Sequence, residues 1–243
     1  MRSQDTHDPS AELQPLIRTD FVAAASHELK TPVAGIELLA DTLKMAIQDG
    51  NTDEALQMVK TLKETATGLN VLVNDLLALS RIEDAPAPGC ITDVRGAIEN
   101  SLVSHSITAR DQGIALYANL EGIGVDDVFV AIAPTQFTII LDNLINNALA
   151  YTDSGSVTLE LRCGITGVTL DVIDTGIGIP ADKLDKIFER FYSIDEKRSQ
   201  RNGGTGLGLS LVKQAVEHAG GNVNVSTLEG SGSTFSVTLP RAC

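Results

Sequence analysis

The sequence predicts an α+β protein in which an antiparallel helical hairpin is followed by an α/β sandwich, with one helical layer on a mixed sheet. Two observations support this prediction. In the first third of the chain, apolar residues recur in alternating steps of four and three, as in packed helices. Beyond the Pro- and Gly-rich stretch 85–89, apolar and polar residues alternate as in strands. The predicted domains are therefore 20–85 and 91–243, with 86–90 as a linker and 1–19 as a polar tail or linker.

The first domain contains two predicted helices. The first covers about 20–48, a turn follows at 49–51, and Asn51 with Glu54 resembles a capping box that opens the second helix. One hairpin offers a single partner for its apolar stripe, so we expect two chains to form a dimeric four-helix bundle. A bundle completed by other helices of this chain is the alternative. The stripe consists of Val22, Ser26, Leu29, Val33, Ile36, Ala40, Leu43 and Ile47 on the first helix, and of Val59, Leu62, Ala66, Leu69, Val73, Leu76 and Ser80 on the second.

The second domain is predicted to mix strands and helices. Strands are expected at 91–94, 114–120, 128–133, 156–163, 168–173, 222–227 and 234–239. Helices are expected at 93–112, 134–151, 181–188 and 207–218, the second of them opened by Pro134 in its first turn.

Composition limits the classes of function. The net charge of −14 over 243 residues argues against binding to nucleic acid or to an anionic membrane. Cys90, Cys163 and Cys243 lack the paired spacing of a zinc site and are interpreted as reduced thiols of a cytosolic protein. There is no apolar run of membrane-spanning length and no signal-peptide pattern. We therefore expect a cytoplasmic chain, whose only link to a membrane would be a segment upstream of it.

A single histidine stands out on the first predicted helix. His27 lies one position away from the apolar stripe and should reach solvent, with Glu28 beside it and Thr31 one turn later. Pro32 removes the helical partner of the Glu28 carbonyl and should bend the helix. This arrangement suggests chemistry on the imidazole, although most lone histidines are ordinary surface residues.

Polar residues in the second domain indicate a possible ligand site. Asn143 and Asn147 lie one turn apart on a predicted helix, and their side-chain oxygens are suited to Mg²⁺. Asp174 ends a predicted strand and could accept a hydrogen bond from an exocyclic amine, while Gly176 and Gly178 permit a tight turn there. A polar helix face and a plain strand-to-helix turn are the alternatives.

A glycine-rich stretch, 203–210, opens the last predicted helix. Free N–H groups at a helix start bind phosphate. The stretch lacks the Gly-Lys-Ser/Thr of a P-loop, and it does not follow a strand as a dinucleotide-binding fingerprint would. Alone it is weak support for nucleotide binding.

Taken together, these segments resemble the catalytic core of a sensor histidine kinase from a two-component system. The stretch Ser26-His27-Glu28-Leu29-Lys30-Thr31-Pro32 matches the H box of that family. The N, G1, F and G2 boxes are matched by 143–151, 174–178, 187–192 and 204–209. The resemblance covers the chain from about residue 20 onward. The second domain is also similar to the ATP-binding domains of gyrase, chaperone and mismatch-repair ATPases, and the H box separates the chain from those.

The resemblance implies functions for individual residues. His27 would attack the γ-phosphate of ATP, Glu28 would act as base or orient the imidazole, and Thr31 would serve dephosphorylation of the partner. Asn147 would hold Mg²⁺ and Asp174 would recognise the adenine amine. The implied nucleotide-binding set is Asn143, Asn147, Tyr151, Asp174, Gly176, Gly178, Ile179, Lys197, Arg198, Gly204, Thr205, Gly206, Leu207 and Gly208.

The leading hypothesis is an ATP-dependent histidine kinase, active as a homodimer, that passes its phosphoryl group to an aspartate of a response regulator receiver domain. Two positions depart from the family: Ala150 and Ser193 stand where many relatives carry basic residues. Lys197, Arg198 or Arg201 could replace those contacts. One alternative is a dimeric signalling scaffold that binds nucleotide with little turnover, and another is an ATPase of the gyrase type.

Overall fold

The structure is a computed structural model that describes residues 10–83, 91–120, 128–165, 167–195 and 204–242, with side chains from Phe21 onward except that of Glu83. The chain divides into two compact units, Met1–Leu76 and Leu77–Cys243. In the described part of the chain, no helix has both the length and the apolar content needed to cross a membrane.

The first unit is built from two long helices, α1 (Ser10–Gln48) and α2 (Thr52–Glu83). The last turns of α2, from Leu77 onward, belong to the second unit. The turn between them contains Gly50 with a φ of 72°, a value that favours glycine. The Asn51 side-chain oxygen accepts the Glu54 N–H at 3.4 Å, and the two side chains bond at 2.7 Å, which caps α2 as predicted.

Helix α1 begins ten residues earlier than the predicted start at residue 20. The polar character of 1–19 and its two prolines favour a tail. Within that stretch, however, Glu12, Leu13 and Gln14 are good helix formers, and polarity alone does not prevent a helix.

The apolar stripe of the hairpin is only partly covered within one chain. Leu29, Ile36 and Leu43 are half-buried as predicted, and Ala25 and Ala46 on the same side are buried. By contrast, Val22, Val33 and Ile47 are exposed. The predicted stripe is therefore wider than a single hairpin can bury.

The second unit contains a five-stranded sheet, a two-stranded sheet and three α-helices among its described residues. The strands are β1 (Thr92–Asp93), β2 (Ile114–Asn119), β3 (Phe129–Val130), β4 (Gly155–Cys163), β5 (Gly167–Asp174), β6 (Asn222–Leu228) and β7 (Gly232–Pro240). The helices are α3 (Val94–Asp111), α4 (Pro134–Tyr151) and α5 (Gly208–His218).

The five-stranded sheet has the order β2-β4-β5-β7-β6, in which only the β2–β4 pair is parallel. The helices cover one face of this sheet, where alternate residues such as Leu159, Leu170 and Val237 are buried. Because β5 pairs with β7, the end of β5 lies beside the start of β7, with Asp174 opposite Ser233. This pairing places two distant segments of sequence at the same end of the sheet.

Two element predictions need correction. The helix expected at 181–188 is a short 3-10 turn, Ala181–Lys183, followed by further turns. Its apolar residues are too few to form a continuous buried stripe, and among them only Ile187 is buried. The strand expected at 128–133 shrinks to the two residues of β3, which pair with β1 apart from the main sheet.

Candidate functional site

His27 lies on α1 with its side chain 81% exposed. Its Nδ1 is 3.6 Å from Oε1 of Glu28, which is an electrostatic contact rather than a short hydrogen bond. Within the described residues, Nε2 has no partner and remains open to a reacting group. The imidazole therefore has one nitrogen facing a carboxylate and the other available as a nucleophile.

Hydroxyl groups bond to the helix backbone on both sides of His27. Ser26 donates to the carbonyl of Val22 at 2.7 Å, and Thr31 donates to the carbonyl of His27 itself at 3.3 Å. Helix α1 continues through Pro32 without interruption, so the predicted bend there stays a prediction. Thr31 is exposed one turn from the imidazole, as the sequence indicated.

In the second unit, α4 carries both candidate asparagines. Leu141, Leu144, Ile145 and Ala148 are buried as predicted, which turns the other face of α4 away from the core. Asn143 donates from Nδ2 to the carbonyl of Ile139 at 2.8 Å, so its oxygen is left free for another contact.

The oxygen of Asn143 faces the start of α5. A Cβ atom on Gly208 would lie 2.5 Å from this oxygen, and glycine is therefore required there. The cap residue of α5, Leu207, provides no side-chain hydrogen bond, which leaves the first N–H groups of the helix available to an anion. The described part of the glycine-rich stretch, 204–210, thus forms a helix start suited to phosphate.

Asn147 fits the expectation of a magnesium ligand. It is half-buried, and among the described residues its amide has no hydrogen-bond partner. The described residues contain no group of three or more His, Cys, Asp or Glu side chains that could hold a metal ion. Mg²⁺ commonly takes few protein ligands, with phosphates and water completing its shell, so a single amide oxygen is chemically suitable.

Asp174 ends β5 and is buried, with 7% of its surface exposed. Its Oδ1 accepts the N–H of Gly176 at 2.8 Å and that of Ser233 at 3.3 Å. Its Oδ2 has no partner in the described part of the chain. Burial raises the pKa of this carboxyl above its ordinary value, and the two N–H groups offset part of that effect. One oxygen is thus fixed by the backbone while the other can accept a hydrogen bond from a ligand.

The loop after Asp174 lies close to the end of α4. Ile177 N–H donates to the carbonyl of Tyr151 at 3.1 Å, and a Cβ on Gly176 would overlap that same carbonyl. Tyr151 and Gly176 were both predicted at the site, and the structure brings them together. Ile179 lies further along the loop, where its N–H is bound by Thr227 at 2.9 Å.

The other predicted glycines shape the G2 segment. Gly206 has a φ of 69°, and a Cβ there would lie 2.7 Å from the backbone of Phe191, itself at a φ of 62°. Thr205 accepts the N–H of Leu207 at 3.2 Å, and Leu207 is fully buried, which anchors the segment that begins at Gly204.

The predicted basic contacts, Lys197, Arg198 and Arg201, lie outside the described residues. Ser193, one of the two departures from the family, has a buried hydroxyl without a hydrogen-bond partner among the described residues.

The sequence predicts strands on both sides of the turn between β6 and β7, but it does not indicate that this turn belongs to the site. The loop after Asp174 contacts Thr227, Gly230 and Gly232. Asp174 itself accepts the N–H of Ser233. The available signal was the pair of glycines in Glu229-Gly230-Ser231-Gly232, between two alternating strands. Only the pairing of β5 with β7 shows that this turn belongs to the site.

Two family models of known proteins match the chain and indicate the class of protein to which it belongs. The His Kinase A (phospho-acceptor) domain model matches 17–85, and the model of the histidine kinase-, DNA gyrase B- and HSP90-like ATPases matches 132–242. A phosphoacceptor helix pair joined to an ATPase domain of this type is the catalytic core of a histidine kinase. The chain belongs to the sensor histidine kinases of two-component systems.

Relatives of the chain agree with this assignment. It is 34% identical over 230 residues to the sensor protein kinase WalK of Staphylococcus saprophyticus, covering 92% of this chain and 36% of the relative. It is 31% identical over 236 residues to the sensor-like histidine kinase SenX3 of Mycolicibacterium smegmatis, covering 92% and 58%. The chain thus spans about a third to three fifths of these relatives.

Solved structures share the fold. The histidine kinase AdeS of Acinetobacter baumannii has a TM-score of 0.68 at 22% identity, covering 89% of this chain and 98% of that one. Full-length ShkA in complex with AMPPNP has a TM-score of 0.63 at 24% identity, covering 90% and 46%.

Proposed function

We propose that the chain is an ATP-dependent protein-histidine kinase that phosphorylates its own His27 and passes the phosphoryl group to an aspartate of a response regulator receiver domain. The observation that carries this proposal is the exposed imidazole of His27, with Nδ1 facing Glu28 and Nε2 without a partner in the described residues. Its relatives are named as sensor kinases. Because the reaction consumes ATP, we place it in the cytoplasm.

In the proposed reaction, the Nε2 lone pair of His27 attacks the γ-phosphorus of ATP, and the bond to the bridging oxygen breaks to release ADP. The ring becomes positively charged in this step, and the carboxylate of Glu28 stabilises the N–H at Nδ1. Phosphoryl transfer depends mainly on alignment and charge neutralisation. Mg²⁺, when bound, would supply part of that neutralisation, with Asn147 as the protein ligand.

The proposal that the chain binds ATP rests mainly on Asp174. A carboxylate oxygen that the backbone leaves unpaired can accept the exocyclic amine of adenine, and the N–H groups at the start of α5 can bind phosphates. The related structure of ShkA holds AMPPNP, an ATP analogue, which supports ATP as the substrate.

The direct test is incubation with Mg²⁺ and γ-labelled ATP, followed by acid or base treatment of the labelled protein. Label on a histidine nitrogen should be lost in acid and retained in base. His27→Gln should carry no label while it binds ATP as tightly as wild type. Label that persists in His27→Gln, or label that is stable in acid, would contradict the proposal.

We also propose that the kinase is a homodimer. Val22, Val33 and Ile47 lie on one side of α1, within about 40° around the helix at about 100° per residue. All three are exposed, as are Val59 and Val73 on α2. A second hairpin placed on this side would bury these residues and complete a four-helix bundle.

Two neighbouring residues offer a matched test of the dimer. Ile47 and Met45 are 65% and 62% exposed on opposite sides of α1. Ile47→Asp should weaken dimerisation by about a hundredfold because it buries a charge in the interface, whereas Met45→Asp should leave it unchanged. Sedimentation equilibrium measures both. Equal dimerisation of the two variants would show that this side is not the interface.

Finally, we propose that Thr31 serves dephosphorylation of the regulator. Its exposed hydroxyl lies one turn from His27, and its one hydrogen bond within the described residues is a long one of 3.3 Å to the backbone. Thr31→Ala should retain autophosphorylation and lose dephosphorylation of the phosphorylated receiver domain. Equal dephosphorylation by wild type and variant would remove Thr31 from this function.

A scaffold that binds nucleotide with little turnover is the second candidate. The observation in its favour is the absence of a basic side chain at Ala150 and Ser193. Tight ATP binding without any labelled protein would select it.

A further inference from the structure

The turn between β6 and β7 is interlocked with the loop that follows Asp174. Gly230 N–H donates to the carbonyl of Ile177 at 2.7 Å. A Cβ on Gly178 would overlap the carbonyl of Leu228, and a Cβ on Gly232 would overlap the carbonyl of Asp174. Two segments about fifty residues apart in sequence therefore meet backbone to backbone at the nucleotide site.

Thr227 lies at the centre of this contact. Its hydroxyl oxygen is 2.9 Å from the N–H of Ile179, 3.0 Å from the carbonyl of Gly232 and 3.0 Å from the hydroxyl of Ser233. A hydroxyl has one proton and two lone pairs. All three bonds are satisfied when Thr227 donates to Gly232 and accepts from Ile179 and Ser233.

One peptide group connects Thr227 to Asp174. The carbonyl of Gly232, which Thr227 holds, and the N–H of Ser233, which donates to Oδ1 of Asp174, belong to the same planar unit. Fixing the carbonyl end therefore fixes the direction of the N–H. By this route Thr227 supports one of the two backbone bonds that hold Oδ1 of Asp174, and the other comes from Gly176.

We propose that Thr227 is a positioning residue for recognition of a purine that carries an exocyclic amine. It acts on the base end of the site from two sides, through the Gly232–Ser233 peptide and through Ile179. This inference rests on the proposed function of Asp174 as the adenine-recognising residue. The phosphate end is built from Asn147 and the start of α5, so Thr227 should affect nucleotide affinity and leave turnover at saturating ATP unchanged.

The test compares Thr227→Val with a matched control, Thr234→Val. Thr234 lies on the neighbouring strand opposite Ser226, faces the other side of the sheet and makes no hydrogen bond within the described residues. Calorimetry with ATP, ADP and AMP gives the dissociation constants. We expect Thr227→Val to weaken all three by the same factor, about tenfold. Thr227→Ser should restore wild-type affinity, and Thr234→Val should bind as wild type does.

Autophosphorylation kinetics add a second readout. Thr227→Val should raise the KM for ATP about tenfold with kcat unchanged, because only the base end of the site is disturbed. If Thr227→Val does not fold, as judged by thermal unfolding, Thr227→Ala replaces it. Wild-type affinity in a folded variant, a loss that differs between ATP and AMP, or failure of Thr227→Ser to restore binding would overturn the proposal.

The outcomes separate this inference from the proposed function. If wild type binds ATP but never labels His27, the kinase proposal fails while the calorimetric test of Thr227 still gives its answer. If wild type labels His27 and Thr227→Val binds normally, only the positioning function fails. If wild type binds no ATP, both fail.

Discussion

The surroundings of His27 and of Asp174 are built in opposite ways. His27 is 81% exposed, and its contact with Glu28, at 3.6 Å, lies in solvent. Asp174 is buried, and two backbone N–H groups hold one of its oxygens. Contacts between exposed charged groups contribute little because water screens them, whereas hydrogen bonds to a buried charge contribute much more.

The difference follows from what each residue must do in the proposed reaction. His27 has to receive a phosphoryl group and release it to another protein, so it must stay accessible. Asp174 recognises a single base, and a fixed orientation improves its selectivity. Changes near His27 should therefore affect the chemical step alone, and changes near Asp174 should affect nucleotide binding.

The largest expected effect is that of Asp174→Asn. An amide NH₂ in place of the free oxygen would face the exocyclic amine donor to donor, so ATP should bind at least about a hundredfold more weakly. The free energy of unfolding at neutral pH should not fall. The amide oxygen can still accept from Gly176 and Ser233, and the variant removes a buried charge. Calorimetry and chemical unfolding measure the two quantities.

Asp171 provides the control for this prediction. It lies on the same strand, is also buried, and forms an ion pair with Arg162 on the face away from the helices. Asp171→Asn should keep wild-type affinity for ATP. Comparable loss of affinity in both variants would mean that disturbance of β5, and not the base contact, explains the result.

A smaller effect is expected when a side chain is added beside Asn143. Gly208→Ala places a methyl group 2.5 Å from the Asn143 oxygen, so one of the two must move. We expect about tenfold weaker ATP binding and about 1–3 kcal/mol lower stability. Gly35→Ala is the control in the exposed hairpin, where a Cβ meets nothing within 4 Å. It should raise stability by about 0.5–1 kcal/mol and leave binding unchanged. Similar destabilisation by Gly208→Ala and Gly35→Ala would contradict the proposed difference between the close-packed nucleotide site and the exposed hairpin.

The smallest effect is a pH dependence of nucleotide affinity. Because burial raises the pKa of Asp174, its carboxyl takes up a proton at a higher pH than an exposed aspartate. Protonation removes the acceptor, so ATP affinity should fall as the pH is lowered through this pKa.

The folded state binds this proton more tightly than the unfolded state, so the contribution of Asp174 to stability is present at low pH and is lost as the pH rises through the folded pKa. The pH profile of the ATP dissociation constant in wild type and in Asp171→Asn should show the same fall. A flat profile would contradict the assignment.

Much of the fold could be predicted from local patterns. Helix α4 has the predicted limits, Pro134–Tyr151, because a proline in its first turn and an apolar stripe both mark it. Residue type and position also predict Asn143, Asn147 and Asp174 as site residues. In the structure the oxygen of Asn143 faces the start of α5. Asn147 and Asp174 each have a side-chain oxygen without a hydrogen-bond partner among the described residues.

The part that could not be predicted depends on long-range pairing. Ser233 contacts Asp174, and Thr227 contacts the loop after it, only because β7 lies between β5 and β6. Periodicity along the chain does not specify which strands pair. Phe191 adopts a φ of 62°, a value that is unusual for a residue with a large side chain. Its backbone lies against Gly206, a contact between segments that local sequence patterns do not predict.

The most direct test of the account is to locate the phosphoryl group. Wild type, His27→Gln and Asp174→Asn are incubated with ATP and Mg²⁺, and their peptides are mapped by mass spectrometry at neutral pH, with ATP affinity measured in parallel. We predict a single phosphoryl group on His27 of wild type and none on either variant, with ATP affinity retained in His27→Gln and lost in Asp174→Asn. A phosphoryl group on any other residue, or steady ATP hydrolysis without a phosphorylated protein, would contradict the account.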